Sequence, residues 1–235
     1  MMKAIILMTR VPIPGKTKTR LMEVLSPEEC AEIHSCFLRD IFGVMGKLEP
    51  EIDVYVSYTP EDEFRILSEL LPEDVKAFPQ HGETLGDRMK HAFEAVFKMG
   101  YDEVVLMGSD VPEIDLECLE ESFVQLESND MCVGPTLDGG YYLIGMKEVQ
   151  SEIFSEDMKW GCNTVLEGTF RQINSQGLSV GLVTKQRDID TGDDFEYLMN
   201  KLGAFEESGT APRNTIDFLR KYREGGSADE KWARE

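Results

Sequence analysis

No two of the five cysteines, Cys30, Cys36, Cys118, Cys132 and Cys162, form a C-x-x-C pair, and their number is odd. A disulfide framework is therefore not expected, whereas reduced thiols in a cytoplasmic protein are. Histidine is scarce too: His34, His81 and His91 are the only three, with no spacing to cysteine that would make a zinc site. Long apolar runs are missing. The N-terminal Met1–Met8 is too short for a signal-peptide core and far too short to span a membrane, and no longer run follows. Basic residues are in deficit, 24 Lys and Arg against 45 Asp and Glu, giving a formal charge of −21. Such a chain repels polyanions at long range, which argues against nucleic-acid binding. A small anionic ligand needs only a local basic cluster or a bridging divalent cation, and stays open.

What is present suffices for a core. Hydrophobic residues make up 41% of 235 positions, a size that suits one α/β domain, expected over 1–204 and followed by a connector, a short helix and a tail over 205–235. Short apolar runs at 3–8, 53–58, 75–78, 103–108, 130–134, 140–146 and 178–184 read as strands. Helical periods fill the gaps. One opens at Ser26-Pro27-Glu28-Glu29, a capping box with proline at the first helical position, and continues through Cys30, Ile33, Phe37, Ile41, Val44 and Leu48. Others run through Leu85–Val96, Leu116–Leu126 and Phe195–Leu202, the last with Gly203 as a natural stop. The alternation predicts a mixed, mostly parallel sheet with helices on both faces. Two strands joined closely through Asp138-Gly139-Gly140 supply the antiparallel part.

The first strand runs into Arg10-Val11-Pro12-Ile13-Pro14-Gly15-Lys16-Thr17-Lys18-Thr19-Arg20, four basic residues within eleven positions of a strongly acidic chain. At the carboxyl end of a parallel strand, such a loop suits phosphates. It is not a P-loop: Arg10 stands where that motif needs its first glycine. Strand four ends in Gly108-Ser109-Asp110-Val111-Pro112, which aims Asp110 at the same rim, although a helix-capping aspartate would look identical. Asp188 and Asp190 share strand parity and could point inward together, while Asp193 or Asp194 suits the start of the helix that follows. Asp138-Gly139-Gly140-Tyr141-Tyr142 is either a hairpin turn or a place where backbone and ring approach a ligand. Gln80–Met89 brings glycines to a helix start, and Trp160 is a lone aromatic.

The succession Pro14–Leu21, Leu85–Met89, Gly108–Pro112, Gly134–Gly145 and Asp188–Thr191 resembles the bacterial selenodomain-associated transferase family. That family is placed among the nucleotide-diphospho-sugar transferases with the glycosyltransferase-A fold, and is similar to phospholactate guanylyltransferases and molybdenum-cofactor nucleotidyltransferases. The resemblance spans about residues 3–200. It implies that Arg10, Pro14, Gly15, Lys16, Thr17, Lys18 and Arg20 hold nucleotide phosphates, and that Gln80, Leu85, Gly86 and Arg88 belong to the base-binding element. It further implies that Asp110 and Asp190 bind Mg²⁺ or Mn²⁺, and that Asp138, Gly139, Gly140, Tyr141 and Trp160 border the acceptor. Glycosyltransferases often carry Asp-x-Asp at the first metal site; here the second aspartate is replaced by Pro112.

The expected activity is nucleotidyl transfer. A nucleoside triphosphate would bind with Mg²⁺ between Asp110 and Asp190, Lys18 and Arg20 would neutralise its phosphates, and a small-molecule acceptor would displace pyrophosphate. Two alternatives stand beside it: glycosyl transfer from a nucleotide-sugar with Asp138 as base, and a nucleotide-sensing protein without turnover.

Overall fold

The computed structural model describes residues 1–154, 164–208 and 212–225. Its strands are β1 Lys3–Arg10, β2 Ile52–Thr59, β3 Lys76–Pro79, β4 Glu103–Gly108, β5 Met131–Pro135, β6 Tyr141–Met146 and β7 Val180–Leu182. All seven expected strands are present, within a few residues of their expected bounds. The helices are α1 Pro27–Met45, α2 Phe64–Ser68, α3 Leu85–Phe97, α4 Leu116–Ser128, α5 Val165–Ser175, α6 Gly192–Ser208 and α7 Arg213–Glu224. Helices α2 and α5 were not anticipated; α2 is a single short turn, and α5 has only Val165, Thr169 and Ile173 buried, a narrow stripe. Helix α6 also runs through Gly203, where a stop was expected. A glycine costs a helix only about 1 kcal/mol, and here the apolar stripe continues past it to Phe205.

The sheet has the order β3-β2-β1-β4-β6-β5-β7. Parallel pairs join β1 to β2 and β4, β2 to β3, and β5 to β7, while β6 runs antiparallel to both β4 and β5. The expected hairpin is therefore the antiparallel element of a mixed sheet.

Strand parity divides the core. Ile5 and Leu7 of β1 face one cluster, which takes in Leu38, Ile41 and Phe42 of α1 and Leu119 and Phe123 of α4. Ala4, Ile6 and Met8 face the other, with Met89 and Phe93 of α3 and Ile173 of α5. Burying each such large side chain contributes roughly 1.5–3 kcal/mol. A third cluster stacks outside α1, whose far side presents Ile33 and Phe37 to Phe195 and Leu198 of α6 and Ile216 and Leu219 of α7. Helix α1 starts where its sequence indicates: Ser26 Oγ accepts from Glu29 N at 3.2 Å, and Glu29 Oε2 accepts from Ser26 N at 2.7 Å.

Helix α7 is anchored by one carboxylate. Asp40 Oδ1 accepts from Asn214 N at 2.9 Å and Asn214 Nδ2 at 2.8 Å; its Oδ2 accepts from Thr215 N at 2.8 Å and Thr215 Oγ1 at 2.7 Å. Both Asp40 and Thr215 are buried. Asp40→Ala would leave the Thr215 donors unpaired away from water, at a cost of about 2–3 kcal/mol. We expect a melting temperature lower by roughly 5–10 °C, with α7 the first segment cut in limited proteolysis.

Candidate active site

At the carboxyl ends of β1, β2 and β4, where strand order turns about β1, a cleft of about 750 Å³ opens. Its floor is organised by Lys18. The loop after β1 turns at Gly15 (φ 73°) and reaches Lys18, which has φ 47° and ψ 40° and is the one non-glycine residue with positive φ among those described. This left-handed backbone is unfavourable for a side chain with a Cβ and persists because the surroundings over-determine it. The ammonium lies over the Phe37 ring, 5.4 Å from its centre. It donates to Asp110 Oδ1, to Ile189 O at 2.7 Å and to Asp190 Oδ1 at 3.0 Å. All three donors of the ammonium are thus committed, and its side chain is only 4% exposed.

Burial by itself lowers the Lys18 pKa, but Asp110 and Asp190 outweigh it and hold the group above its ordinary value. For Asp110, burial pushes upward and Lys18 more than reverses it, so the carboxyl titrates below its usual range. Asp110 is not a helix cap: α4 is capped by Asp115, whose Oδ1 accepts from Cys118 N at 2.8 Å. The backbone stitches both carboxylates together, because Ile189 N donates to Asp110 O at 2.8 Å. Beyond β7, Gln186 bridges to Thr136 in parallel, carrying Asp188 and Asp190 to the rim. Asp194 lies in the first turn of α6 and accepts from Thr191 N at 3.0 Å and Asp190 N at 3.2 Å, which fixes the approach to that helix.

Arg10, Lys16 and Arg20 line the same cleft with exposed side chains, joined by Thr17 and by Arg88 from α3. Arg20 reaches Asp190 Oδ2 only at 3.9 Å and is 69% exposed, so it remains available to a ligand. Gln80, Leu85, Asp138, Gly140 and Tyr141 are also in the walls. Pro14, Gly15, Gly86 and Gly139 are not. Pro14 and Gly15 sit exposed on the outer bend, Gly86 is buried in the first turn of α3, and Gly139 (φ 91°) forms the hairpin tip, so their part is to shape the backbone. Trp160 lies outside the described residues.

Asp138 is partly structural. Its Oδ1 accepts from Thr136 Oγ1 and from Gly140 N at 2.9 Å, closing the turn. Tyr142 is core: its ring covers Gly134, where a Cβ would stand 2.6 Å from the ring, and its hydroxyl donates to Thr184 O at 3.0 Å.

Sequence reasoning missed the layer below the floor. Thr9 Oγ1 lies 2.9 Å from Ser109 Oγ and 3.1 Å from His34 Nε2, which is also 3.1 Å from Arg10 O. Burial and the nearby Lys18 charge push His34 down to about 4, so the ring is neutral at pH 7. A polar side chain beside the apolar positions Cys30, Ile33 and Phe37 was the available signal. Asp188 also lines the cleft, and half-burial together with the Asp138 charge raises its carboxyl to about 6.

The geometry can be set beside known proteins. The family model described as an uncharacterized protein conserved in bacteria (DUF2064) matches residues 46–162. A solved structure from Desulfovibrio desulfuricans G20, provisionally designated a nucleotide-diphospho-sugar transferase, is 34% identical. It superposes with a TM-score of 0.80 over 94% of this chain and 99% of that one. The chain belongs to the nucleotide-diphospho-sugar transferase family. Within the curated proteins, this transferase-family chain is 30% identical over 144 residues to 2-phospho-L-lactate guanylyltransferase of Methanocaldococcus sp. (strain FS406-22), a match spanning 59% of each chain. The 4-diphosphocytidyl-2C-methyl-D-erythritol synthase of Anaerococcus prevotii DSM 20548 superposes with a TM-score of 0.60 at 12% identity over 86% of this chain and 96% of that one, which shows a shared fold. Among the described residues of this family member, no helix is long and apolar enough to cross a membrane.

The raised Asp188 carboxyl gives a signed expectation. Below the unfolded pKa both states are protonated and the group has no effect. As pH rises through about 6 the folded state must ionise a half-buried carboxyl, and stability is lost. Asp188→Asn should therefore raise the melting temperature at pH 8 by a few degrees and leave it unchanged at pH 3, as read by calorimetry across that range.

Proposed function

We propose that this chain is a cytoplasmic nucleotidyltransferase, joining a nucleoside monophosphate unit from a triphosphate to a small-molecule acceptor with release of pyrophosphate. The observation that carries the reading is the concentration of charge in the cleft. Arg10, Lys16, Arg20 and Arg88 line it together with Asp110, Asp138, Asp188 and Asp190, and Lys18 is locked between Asp110 and Asp190. A triphosphate carries more charge than a sugar diphosphate and makes fuller use of the exposed first-loop cations Arg10, Lys16 and Arg20. The related guanylyltransferase and the cytidylyl-transferring synthase of the same fold, by their names, perform this class of reaction.

The residues fit a hard divalent cation. Asp110 and Asp190 each engage Lys18 through Oδ1, which leaves each an Oδ2 of the oxygen chemistry that Mg²⁺ or Mn²⁺ prefers. These two carboxylates would hold the ion, which when bound would supply positive charge to the phosphate oxygens around the reacting phosphorus. The position midway between them, where a metal was expected, is taken in this structure by the Lys18 ammonium. The chain's own groups do the rest. Arg10, Lys16 and Arg20 bind the β and γ phosphates. An acceptor oxygen attacks the α-phosphorus, a new O–P bond forms, the bond to the bridging oxygen breaks, and pyrophosphate leaves. When the acceptor is a hydroxyl, its proton passes to the Asp138–Asp188 side of the cleft, where a carboxylate with a pKa of about 6 is ionised at pH 7.

Glycosyl transfer is the second reading, favoured by the designation of the 34% identical structure. One feature counts against it. Past Asp110 come buried Val111 and then Pro112, and the next carboxylate, Glu113, is held by Lys201 and lines a separate groove. The cleft thus lacks the second aspartate of Asp-x-Asp.

Thermal melting with nucleoside triphosphates and nucleotide-sugars, with and without Mg²⁺, separates the readings. Ligand at about a hundred times its Kd adds roughly 2.7 kcal/mol, or about 5–10 °C for a chain of this size. We expect a Mg²⁺-dependent shift with a triphosphate, and its loss in Asp110→Asn, whose own melting temperature falls by a few degrees because Lys18 loses a counter-charge. A shift confined to nucleotide-sugars would replace this proposal with glycosyl transfer. No shift with any ligand would leave a non-catalytic protein on the same fold.

A further inference from the structure

Away from the cleft, a second groove of about 360 Å³ lies between α1, the residues after β4 and the start of α7. Three exposed cations border it: Arg39 and Lys47 from the α1 side, and Arg213 at the first position of α7. Among the described residues none of the three meets a carboxylate. On a chain of formal charge −21, this is a local reversal of sign. The carboxylates of the groove are already engaged. Asp40 is buried with both oxygens filled by Asn214 and Thr215, and Glu113 is held by Lys201. Because the same contacts take the Asn214 and Thr215 N–H groups, the donors left to the groove are chiefly the three cationic side chains.

Gly43 adds a second, separate observation. It lies within α1, four residues after Arg39 and four before Lys47, so that about 6 Å of helix axis separates it from Arg39. It is exposed and lines the groove. The fold has no need of a glycine there. Its φ is not positive, a Cβ would meet nothing within 4 Å, and the helix is capped by Gly46 instead. Such a glycine weakens a helix relative to alanine. What its bare Cα provides is an open floor between two cations, where a ligand can lie against the helix.

We propose that this groove binds a phosphorylated small molecule, at a site separate from the cleft. The planar guanidinium forks of Arg39 and Arg213 match phosphate oxygens, and Lys47 adds a point charge. A phosphate monoester presents three terminal oxygens, one for each cation, where a carboxylate has two. Val44, Pro112 and Ile114 give the groove an apolar flank for the body that carries the phosphate. The volume falls within the roughly 300–1,000 Å³ of small-molecule sites. A nucleic acid, by contrast, would meet the acidic surface on every side.

The test is a ¹⁵N NMR titration of the full chain at constant ionic strength, read at the amides of residues 39–47, with inorganic phosphate and phenyl phosphate as probes. Reading at α1 separates this groove from phosphate binding in the cleft. We expect saturable shifts with both probes, and about tenfold tighter binding of phenyl phosphate. Arg39→Gln and Arg213→Gln should each weaken binding by about tenfold. Gly43→Glu should abolish the shifts, because its carboxylate falls one turn from both Arg39 and Lys47. The same substitution should raise the melting temperature by a few degrees, since glutamate favours the helix and pairs at i, i+4. No shift at α1, or an equal shift with matched sodium chloride, would overturn the site. So would phosphate shifts that persist in Gly43→Glu. Equal binding of the two probes would overturn the phosphorylated molecule in favour of free phosphate.

Discussion

A buried ammonium between two carboxylates organises this molecule. Lys18 comes from the loop after β1, Asp110 from the end of β4, and Asp190 from the segment after β7, and no secondary-structure element joins the three. Removing a lysine from water is expensive unless it is paired and fully hydrogen-bonded, and here each of its three protons has an oxygen. That contact accompanies the left-handed backbone of Lys18 and holds the exits of three strands at one rim. The same economy explains the cleft's asymmetry. The one cation that is buried is neutralised by the protein, and the exposed ones along the first loop are left for a ligand.

Much of this could be read from the sequence, and the reason is local. All seven strands are short apolar runs set off by turn residues, and α1 announces itself by a capping box that forms as written. The placement of Lys18 opposite Asp110 follows from the adjacency of β1 and β4, which the βαβ order makes the default. The family motifs narrowed the residues further, so that Arg10, Lys16, Lys18, Arg20, Gln80, Arg88, Asp110, Asp138 and Asp190 share one cleft.

The rest was hidden because it depends on partners far away in the chain. His34 looks like one more position on an amphipathic helix; only the tertiary contact with Thr9 and Arg10 makes it part of the floor. Asp188 and Asp190 share a strand parity, yet Asp190 meets Lys18 while Asp188 faces Asp138 and titrates higher. The metal was expected midway between two aspartates, and nothing local in the sequence indicates that a lysine from the first loop enters that space. Glycines misled in a consistent way. Gly86 and Gly139 were read as ligand contacts, whereas one packs inside a helix turn and the other bends a hairpin, the commoner uses of that residue.

The span of the Lys18 contacts bears on how the chain is made. Asp190 lies 172 positions after Lys18, and Thr215 lies 175 after its anchor Asp40. During synthesis, β1 to β4 can assemble around α1 while Asp190 and α7 are still within the ribosome or unmade. At that stage the left-handed turn at Lys18 has one counter-charge instead of two, and the outer face of α1, with Ile33 and Phe37, has nothing to cover it. The nascent protein is thus sticky and lacks a finished binding cleft, and both conditions end together when the last two helices close over α1.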